Sequence, residues 1–509
     1  MIAGAALVLL TLPWLNPAAT GPAPAATPLL VSWMCFAGLL FVCSFSFQSL
    51  ESTKTRAVET LATAWWLAAL ASCGIALIQF FGYSKLAAGF INTTQIGEAF
   101  ANLRQRNQFA TLTMIGLVAM IWLARAKANP RFSRDNLDDQ QRMMWFWGGL
   151  VSAGTLGLGN AASSSRTGLV QLLLVGGLML AWRNWRDRSV VQVVTTAWLT
   201  YVVASVLLPV LVSRDGAFGG IFGRLADTEH NCSSRIVLWQ NVLHLVLLKP
   251  WFGWGWGELD YAHFITLYDG PRFCEILDNA HNLPLHLAVE LGIPVSLLFC
   301  GGVLWVLKRL HPWRENHPQR QLAWGVLAMI GLHSLVEYPL WYGPFQIATV
   351  MCLMILFTTS QETKVSAPNK MAGELGVAST LLLGGMRLTY VIRASAIVLM
   401  MALAAVAWDY YKVSQIYLPP SQRAQAYKTN TLEKIRNTWF FQNQFRFAEL
   451  TTAQLTPVNA AYFNAQAHAL LHFSPEARVV ERLITTSEML GRVDEAKFFR
   501  LRYQAAYGK

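Results

Sequence analysis

The sequence predicts an all-α polytopic membrane protein of about eleven transmembrane helices, followed by a small helical domain. Of the 509 residues, 54% are hydrophobic and only 13% are charged, roughly half the charged share of a soluble domain. Apolar runs of about 20 residues recur along the chain, whereas a membrane β-barrel would show alternating segments of about ten. This composition excludes a soluble enzyme, a disordered scaffold and a small disulfide-stapled secreted domain.

The predicted spans form two groups, separated by a long polar loop at 213–282. The first group lies near 2–16, 28–49, 60–82, 108–125, 144–161, 168–183 and 190–212. The second lies near 283–307, 322–337, 344–360 and 390–411. The first run is short and the fifth is rich in glycine, so these two are the weakest signals. We predict residues 1–411 to form one transmembrane domain.

The Lys and Arg residues indicate which side of the membrane each loop faces. One set of loops holds 18 of the 40 basic residues, and the much longer alternate loops hold nine. Because cytoplasmic loops are enriched in Lys and Arg, the first set is predicted to be cytoplasmic. An uncleaved first span then places the N-terminus in the cytoplasm. The net charge of +12 is thus mostly a topology signal rather than a sign of nucleic-acid binding.

The segment 412–509 differs from the rest of the chain in composition. It holds 13 basic residues and shows helical periodicity. Around 459–506, small residues alternate with aromatic ones, loosely as in tetratricopeptide repeats. We therefore predict a small helical domain on the outer side of the membrane.

The seven cysteines divide by location. Five lie inside predicted spans, where cysteine behaves as a small hydrophobic residue. Cys232 and Cys274 both lie in the outer loop, and they are a candidate disulfide if that side is oxidising. No cysteine pair has the spacing of metal ligands.

Polar motifs gather at the outer ends of the spans. They are Arg104–Gln108, Ser163–Gly168, Ser233–Trp239, Asp278–Asn282 and His333–Tyr342. Polar side chains at membrane depth are costly and mark candidate functional sites. The planar guanidinium of arginine suits phosphate oxygens, and a nearby histidine can act as a general base. The pattern predicts group transfer from a lipid-linked pyrophosphate to an acceptor outside the cytoplasm.

Structural interpretations of the same residues stay open. Arg104 and Arg166 could be interfacial anchors, Arg235 a helix-start charge, and His281 an interfacial side chain. His333 and Glu337 lie four residues apart, so a shared helix face could make them a structural pair. Three further motifs are interpreted as structural: His286, the pair His468 and His472, and the turn glycines Gly253, Gly255 and Gly257.

The motifs in the second half of the chain resemble the O-antigen ligase (Wzy_C) superfamily. The resemblance rests on Arg235-x-x-x-Trp239 with Pro250–Gly255, and on His281-Asn282 with Gly292 nine residues further on. Val295 departs from the family pattern. The stretch His333–Tyr342 is similar to bacterial protein O-oligosaccharyltransferases of the PglL type, as are Gln105–Asn107 and Ser165–Thr167.

The resemblance implies a donor oligosaccharide on undecaprenyl pyrophosphate and a Ser or Thr hydroxyl of a periplasmic or pilin protein as acceptor. It implies a bacterial inner-membrane enzyme with a periplasmic active site and C-terminus, and neither metal nor nucleotide cofactor. The implied catalytic residues are His281 and Glu337. The implied pyrophosphate-binding residues are Arg106, Arg166 and Arg235, and the implied supporting or acceptor-side residues are Asn282, His333, Tyr338 and Asn107.

Two other functions remain open at this stage. An O-antigen ligase would use the same chemistry but transfer the glycan to lipid A core. A transporter would place ionisable residues deep in several spans and show repeat symmetry between its halves.

Overall fold

The computed structural model describes residues 2–18, 21–45, 50–128, 138–212, 232–365 and 374–508. These residues form α-helices and short 3₁₀ turns, and their one strand-like feature is an isolated bridge between Ala88 and Ile91. The predicted all-α class is therefore confirmed. Outside the described residues lie the first part of the predicted outer loop, 213–231, and three basic residues of the loops predicted to be cytoplasmic, Arg131, Arg134 and Lys370.

The helices before the outer loop are α1 Ile2–Leu15, α2 Ala26–Cys43, α3 Leu50–Phe80, α4 Arg106–Ala128, α5 Asp139–Ser163, α6 Arg166–Ala181 and α7 Arg188–Val212. Two helices lie in the outer loop, α8 Arg235–Leu248 and α9 Leu259–Ile265. After it come α10 Leu283–Leu291, α11 Ile293–Leu310, α12 Pro318–Ser334, α13 Gly343–Val365 and α14 Glu374–Ser414. The last are α15 Thr431–Lys434, α16 Gln442–Thr452, α17 Ala460–Leu471, α18 Ala477–Met489 and α19 Val493–Tyr507.

Six of the described helices are long and apolar enough to cross a membrane, namely α2, α3, α4, α7, α11 and α14. Four shorter helices, α1, α6, α8 and α13, are also apolar. These helices support the membrane assignment. The count of about eleven spans stays a prediction.

Helix α4 lies at the centre of the bundle, where α3, α5, α6, α7 and α12 pack around it. In its apolar window 83% of the residues are buried, against 6% in α11 and in α14. A helix that is apolar all round and buried belongs to a core, whereas an apolar helix with exposed sides faces lipid. The outer helices thus shield α4, which carries part of the site described below.

Glycines allow the central helices to approach closely. A Cβ on Gly116 of α4 would lie 2.3 Å from Ala69 Cβ, and one on Gly157 of α5 would lie 2.4 Å from the Ala197 carbonyl oxygen. Small residues at such crossings let membrane helices pack backbone to backbone. The glycine content that made the fifth run a weak span signal therefore serves helix packing.

Two predicted spans after the outer loop are interrupted or cut short in the structure. The run 283–307 is two helices, because Gly292 adopts φ +91° and the chain restarts at Ile293. The run 322–337 ends as a helix at Ser334, and Pro339, which disfavours helical geometry in the residue before it, follows closely. Consequently Glu337 lies beyond the helix that carries His333, and the predicted shared helix face is wrong.

The helices of the C-terminal segment pack into a core of their own. Phe447, Leu470 and Leu483 belong to it, and Phe264 of α9 joins them from the outer loop. The backbone carbonyl of Ile265 also accepts a hydrogen bond from Arg502 at 2.8 Å. Helix α14 crosses the predicted domain boundary at 412 without a break. The C-terminal helices therefore dock on the same loop that contributes to the site.

Candidate active site

The Glu337 carboxylate is the hub of the polar motifs. Its side chain is only 3% exposed, yet four side chains donate hydrogen bonds to it. Oε2 accepts from Gln105 Nε2 at 2.9 Å and from His281 Nδ1 at 2.7 Å. Oε1 accepts from Asn107 Nδ2 at 3.2 Å and from Arg235 Nη2. A buried carboxylate is tolerated when it is paired and hydrogen-bonded in this way.

These donors determine the charge state of Glu337. Burial alone would raise the pKa of its carboxyl group, but the hydrogen bond from His281 and the positive charge of Arg235 outweigh burial and lower the pKa. The carboxylate therefore stays ionised at neutral pH. Because an ionised carboxylate can only accept, His281 Nδ1 must donate. In the neutral form of the ring, Nε2 is then the acceptor nitrogen.

The loop that carries His281 is held on both sides. The backbone N–H of His281 donates to Asn279 Oδ1 at 2.8 Å, and His281 itself has φ +50°. Asn282 caps α10 by accepting from the Leu285 N–H at 3.0 Å, and its Nδ2 donates to the Leu335 carbonyl oxygen at 2.9 Å. This last bond ties the histidine loop to the segment that carries Glu337.

Arg235 is the first residue of α8, which Ser234 caps by accepting from the Val237 N–H at 3.3 Å. One helical turn later, Trp239 Nε1 donates to the Ala280 carbonyl oxygen at 3.1 Å. The Arg-x-x-x-Trp spacing therefore places the guanidinium on Glu337 and the indole on the loop of His281. The Arg235 side chain is 41% exposed, so part of it is available to a ligand.

The two glycine motifs meet each other in space. A Cβ on Gly253 would lie 2.3 Å from the Glu290 carbonyl oxygen, and one on Gly292 would lie 2.1 Å from the Trp251 carbonyl oxygen. Both glycines have positive φ. The Ile293 N–H closes the contact by donating to the Pro250 carbonyl oxygen at 2.8 Å. The turn 250–255 thus fixes the break between α10 and α11, and no nucleotide is needed to explain its glycines.

Asn107 connects α4 to the start of α6. While its Nδ2 donates to Glu337, its Oδ1 accepts from Ser165 Oγ at 2.6 Å. Ser165 in turn caps α6 by accepting from the Gly168 N–H at 3.0 Å. Arg166 is the next residue; its side chain is exposed and has no hydrogen-bond or ion-pair partner among the described residues. Arg166 is therefore available for an anionic ligand.

Two predicted site residues lie apart from the carboxylate hub. Arg106 forms an ion pair of 2.5 Å with Glu98. His333 is fully buried, and its Nδ1 lies 2.9 Å from Thr111 Oγ1. Thr111 also bonds Gln171, so this histidine belongs to a polar network inside the helix bundle.

Tyr338 lies between the histidine and an aromatic cluster. Its ring meets the His281 ring edge to face at 4.9 Å and contacts Trp341 and Tyr342, each at 5.9 Å. Burial raises the pKa of the Tyr338 hydroxyl above its ordinary value. The hydroxyl therefore stays protonated and can donate a hydrogen bond.

Cys232 and Cys274 form a disulfide with an S–S distance of 2.11 Å. It joins Cys232, two residues before the α8 cap, to the segment that leads to His281. Elsewhere in the described part of the chain, no group of three or more His, Cys, Asp or Glu side chains could hold a metal ion. His468 and His472 do not share a ligand, because they bond Glu495 and Glu258 respectively.

Sequence reasoning missed three residues of this cluster as individual candidates: Gln105, Asn279 and Trp239. Each lies inside a motif that had been recognised. Gln105 directly precedes α4, and Asn279 lies two residues before His281. Their polarity at the membrane boundary was the available signal, but only the fold shows that they meet Glu337, His281 and the His281 loop.

Three family models match the chain. Residues 151–300 match the O-antigen ligase family, residues 321–509 match the C-terminal region of virulence factor membrane-bound polymerases, and residues 99–124 match the protein glycosylation ligase family. All described donors to Glu337 lie within the first and third of these matched regions.

Two curated relatives from Acinetobacter baylyi are similar to the chain. A ComP-specific O-oligosaccharyltransferase is 26% identical over 297 residues, which are 58% of this chain and 50% of the relative. A general O-oligosaccharyltransferase is 22% identical over 333 residues, which are 62% of this chain and 53% of the relative. The chain spans about half the length of the curated relatives it matches. These matches confirm the resemblance to PglL-type protein O-oligosaccharyltransferases of the O-antigen ligase superfamily.

Proposed function

We propose that the chain is a glycosyltransferase that moves an oligosaccharide en bloc from undecaprenyl pyrophosphate to Ser or Thr hydroxyls of periplasmic proteins such as pilins. The observation that carries the proposal is the bond between His281 Nδ1 and Glu337 Oε2, with Arg235 on the other carboxylate oxygen. The similarity to protein O-oligosaccharyltransferases supports a protein acceptor.

His281 acts on the acceptor. Glu337 holds the imidazole so that Nε2 accepts the proton of the acceptor hydroxyl, as a carboxylate does for a general-base histidine elsewhere. The hydroxyl oxygen then forms a bond to the anomeric carbon of the donor sugar. The bond between that carbon and the pyrophosphate oxygen breaks, and its electron pair leaves with undecaprenyl pyrophosphate.

The arginines act on the leaving group. Arg166 and the exposed part of Arg235 neutralise the charge that develops on the pyrophosphate, with Arg106 as a weaker contributor because Glu98 already pairs with it. Asn107 and Asn282 hold the two loops in place, and Tyr338 packs against the His281 ring. The lipid donor is already activated, so the proposal requires neither a metal nor a nucleotide.

The proposed location is the bacterial inner membrane, with the N-terminus cytoplasmic and the site and C-terminus periplasmic. Two features support this orientation: the bias of Lys and Arg toward one set of loops, and the disulfide beside the site, because disulfides persist in oxidising compartments.

The test is intact-mass measurement of candidate pilins from cells with and without this gene, in a host that makes a lipid-linked glycan. We expect a mass increase equal to one whole oligosaccharide, located on Ser or Thr, and no increase with His281→Ala. A conservative variant on the lipid-facing α11, Leu298→Ile, is the matched control and should transfer normally. If only lipopolysaccharide acquires the glycan, the chain is an O-antigen ligase and the protein-acceptor proposal is wrong.

A further inference from the structure

Beside Glu337 lies a cavity of about 440 Å³ that is partly open to the surface. Its lining includes Trp256, Asn279, His286, Tyr338, Trp341 and Gln346. This volume falls within the roughly 300–1,000 Å³ of small-molecule sites, which combine apolar walls with a few directed polar groups. Because Glu337 and Tyr338 also line it, any occupant lies directly beside the catalytic cluster.

His286 gives the cavity an unsatisfied polar group. The residue is 2% exposed, and neither ring nitrogen has a hydrogen-bond partner among the described residues. The closest carboxylate oxygen, Glu290 Oε2, is 3.5 Å from Nε2 and is likewise without a hydrogen bond. A buried polar group without a partner is costly in free energy. A ligand hydroxyl in the cavity would satisfy it.

Aromatic side chains flank this histidine. The Trp341 and Trp256 rings lie 5.4 Å and 6.4 Å from the His286 ring. A pyranose presents C–H groups on its faces and hydroxyls on its rim, so it pairs with aromatic walls and polar hydrogen-bonding groups together. No Lys or Arg is among the described lining residues, which makes the cavity unsuited to a pyrophosphate.

We propose that this cavity binds the sugar residue that is joined directly to the pyrophosphate of the donor, and that His286 hydrogen-bonds to a hydroxyl of that sugar. The inference rests on the proposed function. The pyrophosphate lies beside Arg166 and Arg235, and the sugar bonded to it must be adjacent. The cavity is adjacent because Glu337, which bonds Arg235, also forms part of the cavity wall. His286 and Trp256 then contribute to the choice of the first sugar.

A binding measurement on the full-length protein in detergent tests this without requiring turnover. The two probes are farnesyl pyrophosphate and farnesyl pyrophosphate carrying a single N-acetylglucosamine. For His286→Phe, which keeps an aromatic ring but loses both nitrogens, we expect about tenfold weaker binding of the sugar-bearing probe, as the loss of one buried hydrogen bond implies. Binding of the sugar-free probe should not change.

Matched controls separate the cavity from general effects. His317→Phe makes the same change at a distant position, at the start of α12. Trp256→Leu alters the cavity wall, and Trp305→Leu changes a similarly exposed tryptophan on α11, the two being 68% and 66% exposed. We expect Trp256→Leu to weaken only the sugar-bearing probe and both controls to bind as the wild type. Because Trp256 is exposed, this variant keeps the test available if His286→Phe does not fold.

Two outcomes overturn the inference while leaving the proposed function intact. One is equal weakening of both probes, or of neither, in the cavity variants. The other is a raised KM for the acceptor protein with an unchanged KM for the donor, which would assign the cavity to the acceptor. Failure of the wild type to glycosylate any protein with a lipid-linked donor would instead contradict the proposed function.

Discussion

Two His–Glu pairs lie near each other in this protein and differ in their contacts. His281 Nδ1 is 2.7 Å from Glu337 Oε2. The same carboxylate also accepts hydrogen bonds from Arg235, Gln105 and Asn107. His286 Nε2 is 3.5 Å from Glu290 Oε2 without a hydrogen bond. The first pair contacts the Arg235 cation and can support a change of charge. The second lies beside the Trp341 and Trp256 rings and suits a neutral ligand.

The largest expected effect comes from the first pair. Glu337→Gln removes the negative charge that selects the His281 tautomer, and His281→Ala removes the base. We expect each to lower the transfer rate by roughly 10³-fold or more, by analogy with carboxylate loss in other histidine-based sites. Single-turnover glycosylation of a purified acceptor measures the rate.

The double variant provides the control for this effect. Because the two side chains act as one unit, the double variant should lose little more than either single variant. If the fold-losses of the two single variants multiply in the double variant, Glu337 and His281 act independently.

The next effect concerns the arginines beside the first pair. Arg235→Lys and Arg166→Lys keep the charge but lose the planar fork, so we expect about 10- to 100-fold lower kcat/KM for the donor. Arg106→Lys should have a smaller effect, since Glu98 already engages that side chain. Arg309→Lys, at the far end of α11, is the matched control. Equal losses at Arg106 and Arg235 would contradict the geometry.

The pH dependence of stability gives a smaller effect. The pKa of Glu337 is lowered in the folded protein, so its ion pairs stabilise the fold above the ordinary carboxyl pKa of roughly 4.3 and stop doing so as pH falls through the lowered value. We expect the Tm difference between wild type and Glu337→Gln to be constant from about pH 6 to 8 and to shrink only in strong acid. A difference that already vanishes near pH 6 would oppose the lowered pKa.

The smallest expected effect concerns Asp260, whose charge acts on Glu290 of the second pair. Burial, reinforced by Asp278 and Glu258, raises the pKa of Asp260 to about 7. Folding therefore favours protonated Asp260. The free energy of unfolding falls as pH rises from about 4, where Asp260 ionises in the unfolded chain, to about 7, where it ionises in the folded protein. We expect Asp260→Asn to raise the free energy of unfolding by about 1 kcal/mol at pH 8 and by less at pH 5. Chemical denaturation at the two pH values measures this, with Asp494→Asn as an exposed control.

The sequence predicted the helices better than it predicted the contacts between them. Apolar runs are local, so a helix was predicted near each of α1 to α7, although α3 begins at Leu50, ten residues before its predicted start. The break at Gly292 was missed because it depends on the turn at 250–255, which is distant along the chain. His333 was paired with Glu337 by helical spacing, and that failed because the helix ends at Ser334.

The residues of the site were likewise predicted better than the contacts that they make. Motif resemblance identified His281, Arg235 and Glu337, whose types suit the chemistry. It did not reveal the ion pair between Arg106 and Glu98, because Glu98 lies eight residues away and outside the motif. The orphan nitrogens of His286 were equally hidden, since a histidine with no partner looks the same in sequence as one with several.

The donors to Glu337 come from widely separated parts of the chain: positions 105 and 107, position 235 and position 281. A ribosome makes them in that order, and the carboxylate itself emerges last. Until then Arg235 and His281 have no common partner, although the disulfide and the bond from Trp239 to Ala280 already join their segments. The hydrogen bonds to Glu337 can therefore form only after the chain has been synthesised beyond residue 337. A shorter nascent chain contains the donor residues but not the assembled site.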